Sequence, residues 1–267
     1  METLILLGTG NATVTKCYNT CFAIQREEEY FLVDTGGGNG ILAQLEKANI
    51  PINKIHEIFI SHEHTDHLFG IIWLIRMIAT KIRKQDYEGK LTIYCHKELE
   101  EIILTICQLT VQKKFYEEIG KSIIFQKVNH DEVIEVFGNQ TTFFDIGSTK
   151  AKQFGFSMKL KSDKIFTFLG DEPYYDSEEK YAKNADWLLH EAFCLYSDRD
   201  KFQPYEKHHA TVKDACESAQ KLGVKNLVLY HTEDKNINER KRLYTEEGKA
   251  FFTGMLYVPD DLDRIEL

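Results

Sequence analysis

The stretch Ser61-His62-Glu63-His64-Thr65-Asp66-His67 follows the apolar run Ile58-Phe59-Ile60, which has the composition of a short buried strand. It brings three histidines and Asp66 together within six residues. Imidazole nitrogen and carboxylate oxygen are the ligands that zinc and neighbouring metals accept in proteins. A histidine-rich surface loop is the alternative. The pattern His-x-His-x-Asp-His and the matching residues found elsewhere in the chain favour a metal site.

Length and composition predict one large domain spanning residues 1–267, with enough apolar residues to bury a core. No run of 18 apolar residues is present, so no membrane-spanning helix is expected. The first residues lack the pattern of an export signal, which predicts a cytoplasmic protein with free thiols. The net charge of -9 argues against general nucleic-acid binding, because phosphates require a basic surface.

Polar residues follow several predicted strands at the point where each strand ends. An α/β fold tends to place its site at such ends, so these residues are expected to meet at one rim. Strands outnumber helices in both halves of the chain, which predicts two sheets packed face to face with helices outside. The residues at the predicted rim are Asp34, the His62–His67 loop, Asp171, Glu191 and His231.

With these partners, the histidine-rich motif resembles that of the metallo-β-lactamase superfamily. The more detailed resemblance is to ribonuclease Z, the tRNA 3′-processing endonuclease, and its phosphodiesterase relatives. It covers roughly residues 4–232 and implies an α/β fold, an αββα four-layer sandwich. The segments that carry it are Leu7-Gly8-Thr9-Gly10, Gly170-Asp171-Glu172, His190-Glu191-Ala192-Phe193, His209-Ala210-Thr211 and Leu229-Tyr230-His231-Thr232.

The resemblance implies a site for two divalent metals, usually zinc, with manganese or iron as alternatives. His62 and His64 would bind metal one, and Asp171 would bridge the two metals. Metal two would take the remaining ligands, which are Asp66, His67 and His231. Asp34 would orient a ligand histidine through its second nitrogen, although it could instead cap the glycine turn that follows it.

Two such metals lower the pKa of a shared water from about 15.7 toward about 7, and the resulting hydroxide attacks phosphorus or a carbonyl carbon. Asp66 would orient or deprotonate that water. Glu191 and His209 match the family's proton-donating pair, in which the carboxylate is bonded to the imidazole and His209 protonates the leaving alkoxide. The alternative for Glu191 is a structural pair with His190 under the sheet.

The sequence departs from the family pattern in two places. Gly147 stands about where a metal-ligand histidine is expected, so metal one is predicted to bind more weakly than metal two, unless water, substrate or Asp145 completes its ligands. Only 14 residues separate Phe156 from Asp171, which leaves no room for the arm that grips tRNA in ribonuclease Z. Four lysines are expected near the site, where they would contact a phosphate or form a solvated loop: Lys150, Lys152, Lys159 and Lys161.

The sequence therefore predicts a metal-dependent hydrolase, with a small or nucleotide-like phosphodiester as the preferred substrate. A hydrolase of carboxylic or sulfuric esters, lactones or lactams is the second interpretation. A degenerate metal-binding protein is the third. The helical segments Leu68–Thr80 and Ile102–Phe115 would form either a homodimer face or outer-layer helices buried on one side.

Overall fold

The computed structural model describes residues 2–267. Its strands are β1 (Glu2–Gly8), β2 (Cys21–Arg26), β3 (Glu29–Val33), β4 (Ile55–Phe59), β5 (Leu91–Cys95), β6 (Ile123–Lys127), β7 (Glu132–Val136), β8 (Asn139–Asp145), β9 (Phe154–Lys159), β10 (Ile165–Phe168), β11 (Trp187–Glu191), β12 (Asn226–Tyr230), β13 (Met255–Tyr257) and β14 (Arg264–Glu266). Its α-helices are α1 (Gly40–Lys47), α2 (Thr65–Arg83), α3 (Lys97–Thr110), α4 (Lys113–Tyr116), α5 (Glu179–Ala182), α6 (Arg199–Phe202), α7 (Val212–Leu222) and α8 (Arg240–Gly248).

The chain divides into two compact units, and the first contains the described residues through Gly8, Asn19–Asn129 and Leu262–Leu267. Its sheet has the order β14-β1-β2-β3-β4-β5-β6. Strands β3, β4, β5 and β6 run parallel, whereas β14, β1, β2 and β3 are joined by antiparallel pairs. The residues that follow β3 and β4 therefore lie at the same edge of this sheet.

The second unit contains Thr9–Tyr18 and His130–Asp261, and its sheet has the order β13-β12-β11-β10-β9-β8-β7. Strands β10 to β13 are parallel. Strand β8 pairs antiparallel with β9, which pairs antiparallel with β10, so β8 and β10 point the same way. The segments after β8, β10, β11 and β12 consequently share one edge. Single-domain organisation stays a prediction.

Helix α2 begins earlier than the sequence indicates. Its predicted start is Leu68, but the amides of His67 and Leu68 both donate to the carbonyl of His64, at 3.1 and 3.0 Å. His64 is therefore the N-cap, and Asp66 lies in the first turn, where a carboxylate complements the helix dipole. The end of the histidine-rich motif is thus part of a helix rather than of a loop.

The segment Tyr175–Asn184 has helical composition but forms only a single 3-10 turn and the short α5. The Asn184 amide is outside the helix and donates to the carbonyl of Leu222 at 2.8 Å. The C-terminal segment forms α8, β13 and β14.

Helices α2 and α3 bury one side each and leave large apolar side chains on the other. Phe69 and Trp73 are each 39% exposed, and Leu109 is 80% exposed. Trp73 and Phe69 also line a groove of about 390 Å³ between these helices. The burial of one side agrees with outer-layer helices. The exposed apolar side chains are also what a homodimer face would need, and a homodimer stays a prediction. Among residues 2–267, no helix is both long and apolar enough to cross a membrane.

Candidate metal centre

The ligand-type residues of the first unit lie where β3 and β4 end. Asp34 directly follows β3, has a left-handed backbone (φ 55°) and is buried. The carboxylate accepts hydrogen bonds from the Ser61 amide at 2.8 Å and from the Ser61 hydroxyl at 2.8 Å. His67 Nδ1 donates to Asp34 Oδ2 at 2.8 Å. Asp34 is thus the acceptor that orients His67.

This hydrogen bond fixes the tautomer of His67. Because Nδ1 carries the proton, Nε2 presents a lone pair, the form in which imidazole binds a metal. His67 Nε2 lies 3.4 Å from Asp66 Oδ2. Ligand atoms about 2.0–2.2 Å from one tetrahedral zinc ion stand roughly 3.3 Å apart. Asp66 and His67 therefore have the spacing of two ligands of one ion.

His62 and His64 form a second pair of donors. His62 Nδ1 lies 2.9 Å from the Ser61 hydroxyl, which itself donates to Asp34. His62 Nδ1 must then carry the proton, which leaves Nε2 as an acceptor or ligand. His62 Nε2 lies 2.9 Å from His64 Nδ1. This separation is that of a hydrogen bond and is slightly shorter than the roughly 3.3 Å expected for two ligands of one zinc ion.

The second unit contributes Asp171, which follows β10, and His231, which follows β12. Both are buried. His231 Nε2 lies 3.6 Å from Asp171 Oδ2, again close to the separation expected for two ligands of one ion. The other carboxylate oxygen of Asp171 accepts a hydrogen bond from Gln153 Nε2 at 2.7 Å. Gln153 thereby fixes the Asp171 carboxylate.

His209 and Glu191 lie close to this pair, but the hydrogen bond predicted between them is not formed. His209 Nδ1 is 3.6 Å from Glu191 Oε2 and instead donates to the backbone carbonyl of Asp171 at 3.1 Å. The other oxygen of Glu191 accepts a hydrogen bond from the amide of Ala210. Glu191 therefore acts on the backbone next to His209 rather than on its ring. This corrects the predicted contact.

Burial sets the protonation of both groups. It raises the pKa of Glu191 well above its ordinary value and lowers the pKa of His209 to about 4. The nearby Asp171 carboxylate opposes the second effect. The His209 ring stacks on Phe193 with centroids 4.9 Å apart and planes 4° apart. His209 is thus held as a neutral imidazole with Nδ1 engaged.

The loop after β8 contains Gly147, which has φ 76°, and a β-carbon added at this glycine would have no neighbouring atom within 4 Å. No histidine occurs from Ile146 to Gln153. Asp145, considered above as a substitute ligand, uses Oδ1 to accept a hydrogen bond from the Gly147 amide at 2.8 Å. Gly147, at about the position where the family pattern has a histidine, therefore supplies no side-chain ligand.

The ligand-type residues described above are those that the sequence predicts, and metal binding by them stays a prediction. Two residues that orient them are not predicted. Ser61 connects Asp34 to His62, and its place directly before the first histidine was a usable signal. Gln153 holds Asp171 from the loop after β8, and nothing in the local pattern distinguishes it from other polar loop residues.

A profile of the family described as Anti-Pycsar protein Apyc1 matches residues 2–253. The chain belongs to this family. It is also 27% identical to a ribonuclease Z of Bacillus licheniformis over 298 aligned positions, which cover 93% of this chain and 94% of the relative.

Two solved structures have a similar fold. The metallo-β-lactamase fold protein YhfI from Bacillus subtilis has a TM-score of 0.80 at 19% identity, and the match covers 100% of this chain and 99% of the other. The zinc-bound PqqB from Methylobacterium extorquens has a TM-score of 0.74 at 14% identity and covers 100% of both chains. The predicted α/β class and metallo-β-lactamase fold are confirmed, as is the resemblance to the ribonuclease Z branch. The chain is related to metal-dependent hydrolases of this superfamily.

Proposed function

We propose that this protein is a metal-dependent phosphodiesterase that cleaves a small or nucleotide-like phosphodiester. The observation that carries the proposal is a set of three donor pairs at strand ends, each with ligand atoms 2.9–3.6 Å apart. Such pairs of nitrogen and carboxylate donors are suited to divalent cations. A neutral, oriented imidazole next to one pair adds a group that can exchange a proton.

The proposed ligands are those of the family pattern. His62 and His64 would bind metal one, and Asp66, His67 and His231 would bind metal two. Asp171 would bridge the two ions. Zinc is the preferred metal, because the donors are imidazoles and carboxylates. PqqB, which has a similar fold, also has zinc bound in its solved structure. Manganese and iron are the alternatives.

When bound, the two ions would supply a water of lowered pKa and stabilise charge on the phosphoryl oxygens. The side chains have separate tasks. Asp66 orients the attacking water and accepts its proton as the new oxygen–phosphorus bond forms. As the bond to the leaving group breaks, Nε2 of His209 passes a proton to the departing alkoxide. Because Nδ1–H is engaged by the Asp171 carbonyl, Nε2 has the free lone pair of the neutral ring. Nε2 therefore first takes up a proton from solvent, and the ring returns to its neutral form when that proton is transferred. Glu191 holds the Ala210 amide and so keeps His209 in position.

The substrate is proposed to be small rather than tRNA. Strands β9 and β10 are joined by a tight turn in which the Leu160 amide donates to the Lys164 carbonyl at 2.9 Å. An arm inserted here would break that turn. The 298 positions aligned with the ribonuclease Z of Bacillus licheniformis exceed the 267 residues of this chain, so that relative contains inserted residues that are missing here. The net charge of -9 also disfavours a long polyanion.

A degenerate metal-binding protein is the second candidate, and Gly147 is the observation that favours it. Without a third histidine, metal one would have His62, His64 and Asp171 as its protein ligands. We therefore expect metal one to bind more weakly than metal two. Equal and full occupancy of both sites after metal loading would contradict this expectation.

Metal content and turnover, measured on the same preparations, test the proposal. Protein purified without chelator and reloaded with zinc or manganese is expected to hydrolyse bis(p-nitrophenyl) phosphate, and Asp66→Ala is expected to abolish this turnover. Elemental analysis should give two metals per chain at high metal concentration and fewer at low concentration. Gly147→His should raise the occupancy at low concentration, with Gly147→Ala as its control. A wild-type protein that holds two metals per chain and yet does not hydrolyse bis(p-nitrophenyl) phosphate would refute the proposed phosphodiesterase activity.

A further inference from the structure

Glu172 organises the loop that follows β8. Its side chain is only 1% exposed, and its carboxylate accepts hydrogen bonds from two other side chains. Ser148 Oγ donates to Glu172 Oε1 at 2.6 Å, and the Tyr175 hydroxyl donates to Glu172 Oε2 at 3.1 Å. Because Glu172 directly follows Asp171, these bonds tie the loop to the segment that carries a proposed metal ligand.

Lys150 occupies the gap between two segments of the proposed site. Its ammonium lies 3.7 Å from Glu172 Oε1 and donates to the backbone carbonyl of Lys207 at 3.1 Å. Glu172 is next to Asp171, and Lys207 is two residues before His209. The ammonium therefore contacts the two segments that carry Asp171 and His209, and its side chain is 24% exposed.

The electrostatics of the two proton-carrying groups agree with this placement. Burial is the main cause of the low pKa of His209, and the positive charge of Lys150 lowers it further. The same charge lowers the pKa of Glu191, against the larger effect of burial. Lys150 is thus close enough to act on both groups.

Two of the other lysines expected near the site are elsewhere. Strand β9 starts at the site edge with Phe154 and carries Lys159 at its far end. There Lys159 forms an ion pair with Asp163 at 2.8 Å. Lys161 donates to the carbonyl of Gly138. The predicted cluster of four lysines is therefore wrong for these two, and Lys159 is a matched control for Lys150.

We infer that Lys150 binds the substrate by donating a hydrogen bond to a non-bridging phosphate oxygen of the phosphodiester. An ammonium has three N–H donors. One is used by the Lys207 carbonyl and one faces Glu172, which leaves a third for an anionic oxygen. A charged donor at this position favours an anionic diester over a neutral ester. The inference rests on the proposed function and names the group that selects its substrate.

Kinetics with two substrates test it. Lys150→Gln is expected to raise the KM for bis(p-nitrophenyl) phosphate roughly ten- to a hundredfold, the effect of losing a charge-assisted hydrogen bond, with a much smaller change in kcat. Lys150→Arg should restore most of the affinity, and Lys159→Gln should behave as wild type. Any hydrolysis of neutral p-nitrophenyl acetate should keep its KM in all three variants. An unchanged KM for the diester in folded Lys150→Gln would overturn the inference.

Binding without turnover separates this inference from the proposed function. Calorimetric titration of inorganic phosphate into the metal-loaded protein should show weaker binding in Lys150→Gln than in wild type or Lys159→Gln. If the wild type cleaves no phosphodiester, the proposed function fails, and the titration alone then decides on Lys150. Equal phosphate affinity in wild type and Lys150→Gln, or no phosphate binding by wild type, overturns the inference. Lys150→Met, which keeps the aliphatic stem, repeats the test if the glutamine variant unfolds.

Discussion

Each unit contains a buried carboxyl near a buried imidazole, and the two pairs are built differently. Asp34 and His67 are hydrogen bonded at 2.8 Å. Glu191 and His209 are separated by 3.6 Å, and each bonds to backbone instead. The first carboxyl therefore sets the tautomer of its histidine directly, whereas the second acts through the chain.

The difference arises from how each histidine is anchored. The Thr35 amide, next to Asp34, donates to the His67 carbonyl at 2.9 Å. The Gly70 amide donates to the Gly36 carbonyl at 2.9 Å, and a β-carbon on Gly70 would lie 2.0 Å from the Thr35 carbonyl oxygen. Helix α2 is thus packed against the segment after β3 at backbone distance. In the second unit, His209 follows a left-handed residue, His208, and is held by the Asp171 carbonyl and by Phe193.

The largest effect is expected from an amide substitution in the first pair. Asp34 accepts bonds from the Ser61 amide, the Ser61 hydroxyl and His67. In Asp34→Asn, one carboxylate oxygen becomes an NH₂ group that must face a donor. We expect a roughly 10- to 100-fold loss of metal affinity, as for other partners of ligand histidines. Zinc titration of the wild type and the variant measures this. Unchanged affinity would mean that Asp34 only supports the glycine turn.

The same substitution in the second pair should have a smaller effect. Within residues 2–267, Glu191 accepts one hydrogen bond, from the Ala210 amide, and an amide oxygen can accept it equally well. We expect Glu191→Gln to lower kcat for bis(p-nitrophenyl) phosphate less than about tenfold, and Glu191→Ala to lower it more, since removal of the acceptor leaves a buried amide unsatisfied. If Glu191→Gln is as damaging as Glu191→Ala, the charge of Glu191 is required for catalysis.

Glu178 is another buried carboxyl, and unlike Asp34 and Glu191 it has no imidazole near it among residues 2–267. Its titration should therefore affect stability rather than activity. Burial raises the pKa of Glu178 to about 8, against about 4.3 in an unfolded chain. Between these pH values the folded protein keeps a proton that the unfolded chain has released. The free energy of unfolding should therefore fall as pH rises from about 4.5 to 8 and level off above that.

Glu178→Gln should remove this contribution, which is of the order of a few kcal/mol. Gln keeps an acceptor for the Tyr175 amide, whose bond to Glu178 is 2.7 Å long. Urea unfolding of both proteins at several pH values gives the comparison. The variant should gain relative stability as pH rises. Parallel stability profiles would show that Glu178 titrates normally.

The sequence predicts where the ligand-type residues lie in the sheets, for a physical reason, and their role as metal ligands stays a prediction. Each follows an apolar strand, and parallel neighbours bring their ends to one edge, so position along the chain predicts position in the sheet. The hydrogen bond between Glu191 and the Ala210 amide could not be predicted in this way. It depends on the turn around His208, and that turn is not part of a strand whose pattern the sequence shows. The same logic fails for β14, because Arg264–Glu266 is too short to be recognised and pairs with β1 at the other end of the chain.

The pairing of β14 with β1 also has a consequence for synthesis. Thr3 is opposite Glu266 in this antiparallel pair. Since a ribosome makes the N-terminal end first, β1 and β2 are made long before their neighbour β14 exists. During that interval one edge of β1 has unpaired backbone groups, which can template pairing with another nascent chain. The first sheet can be completed only after the second unit has been translated. The exposed edge of β1 is therefore covered only when β14, near the other end of the chain, has been made.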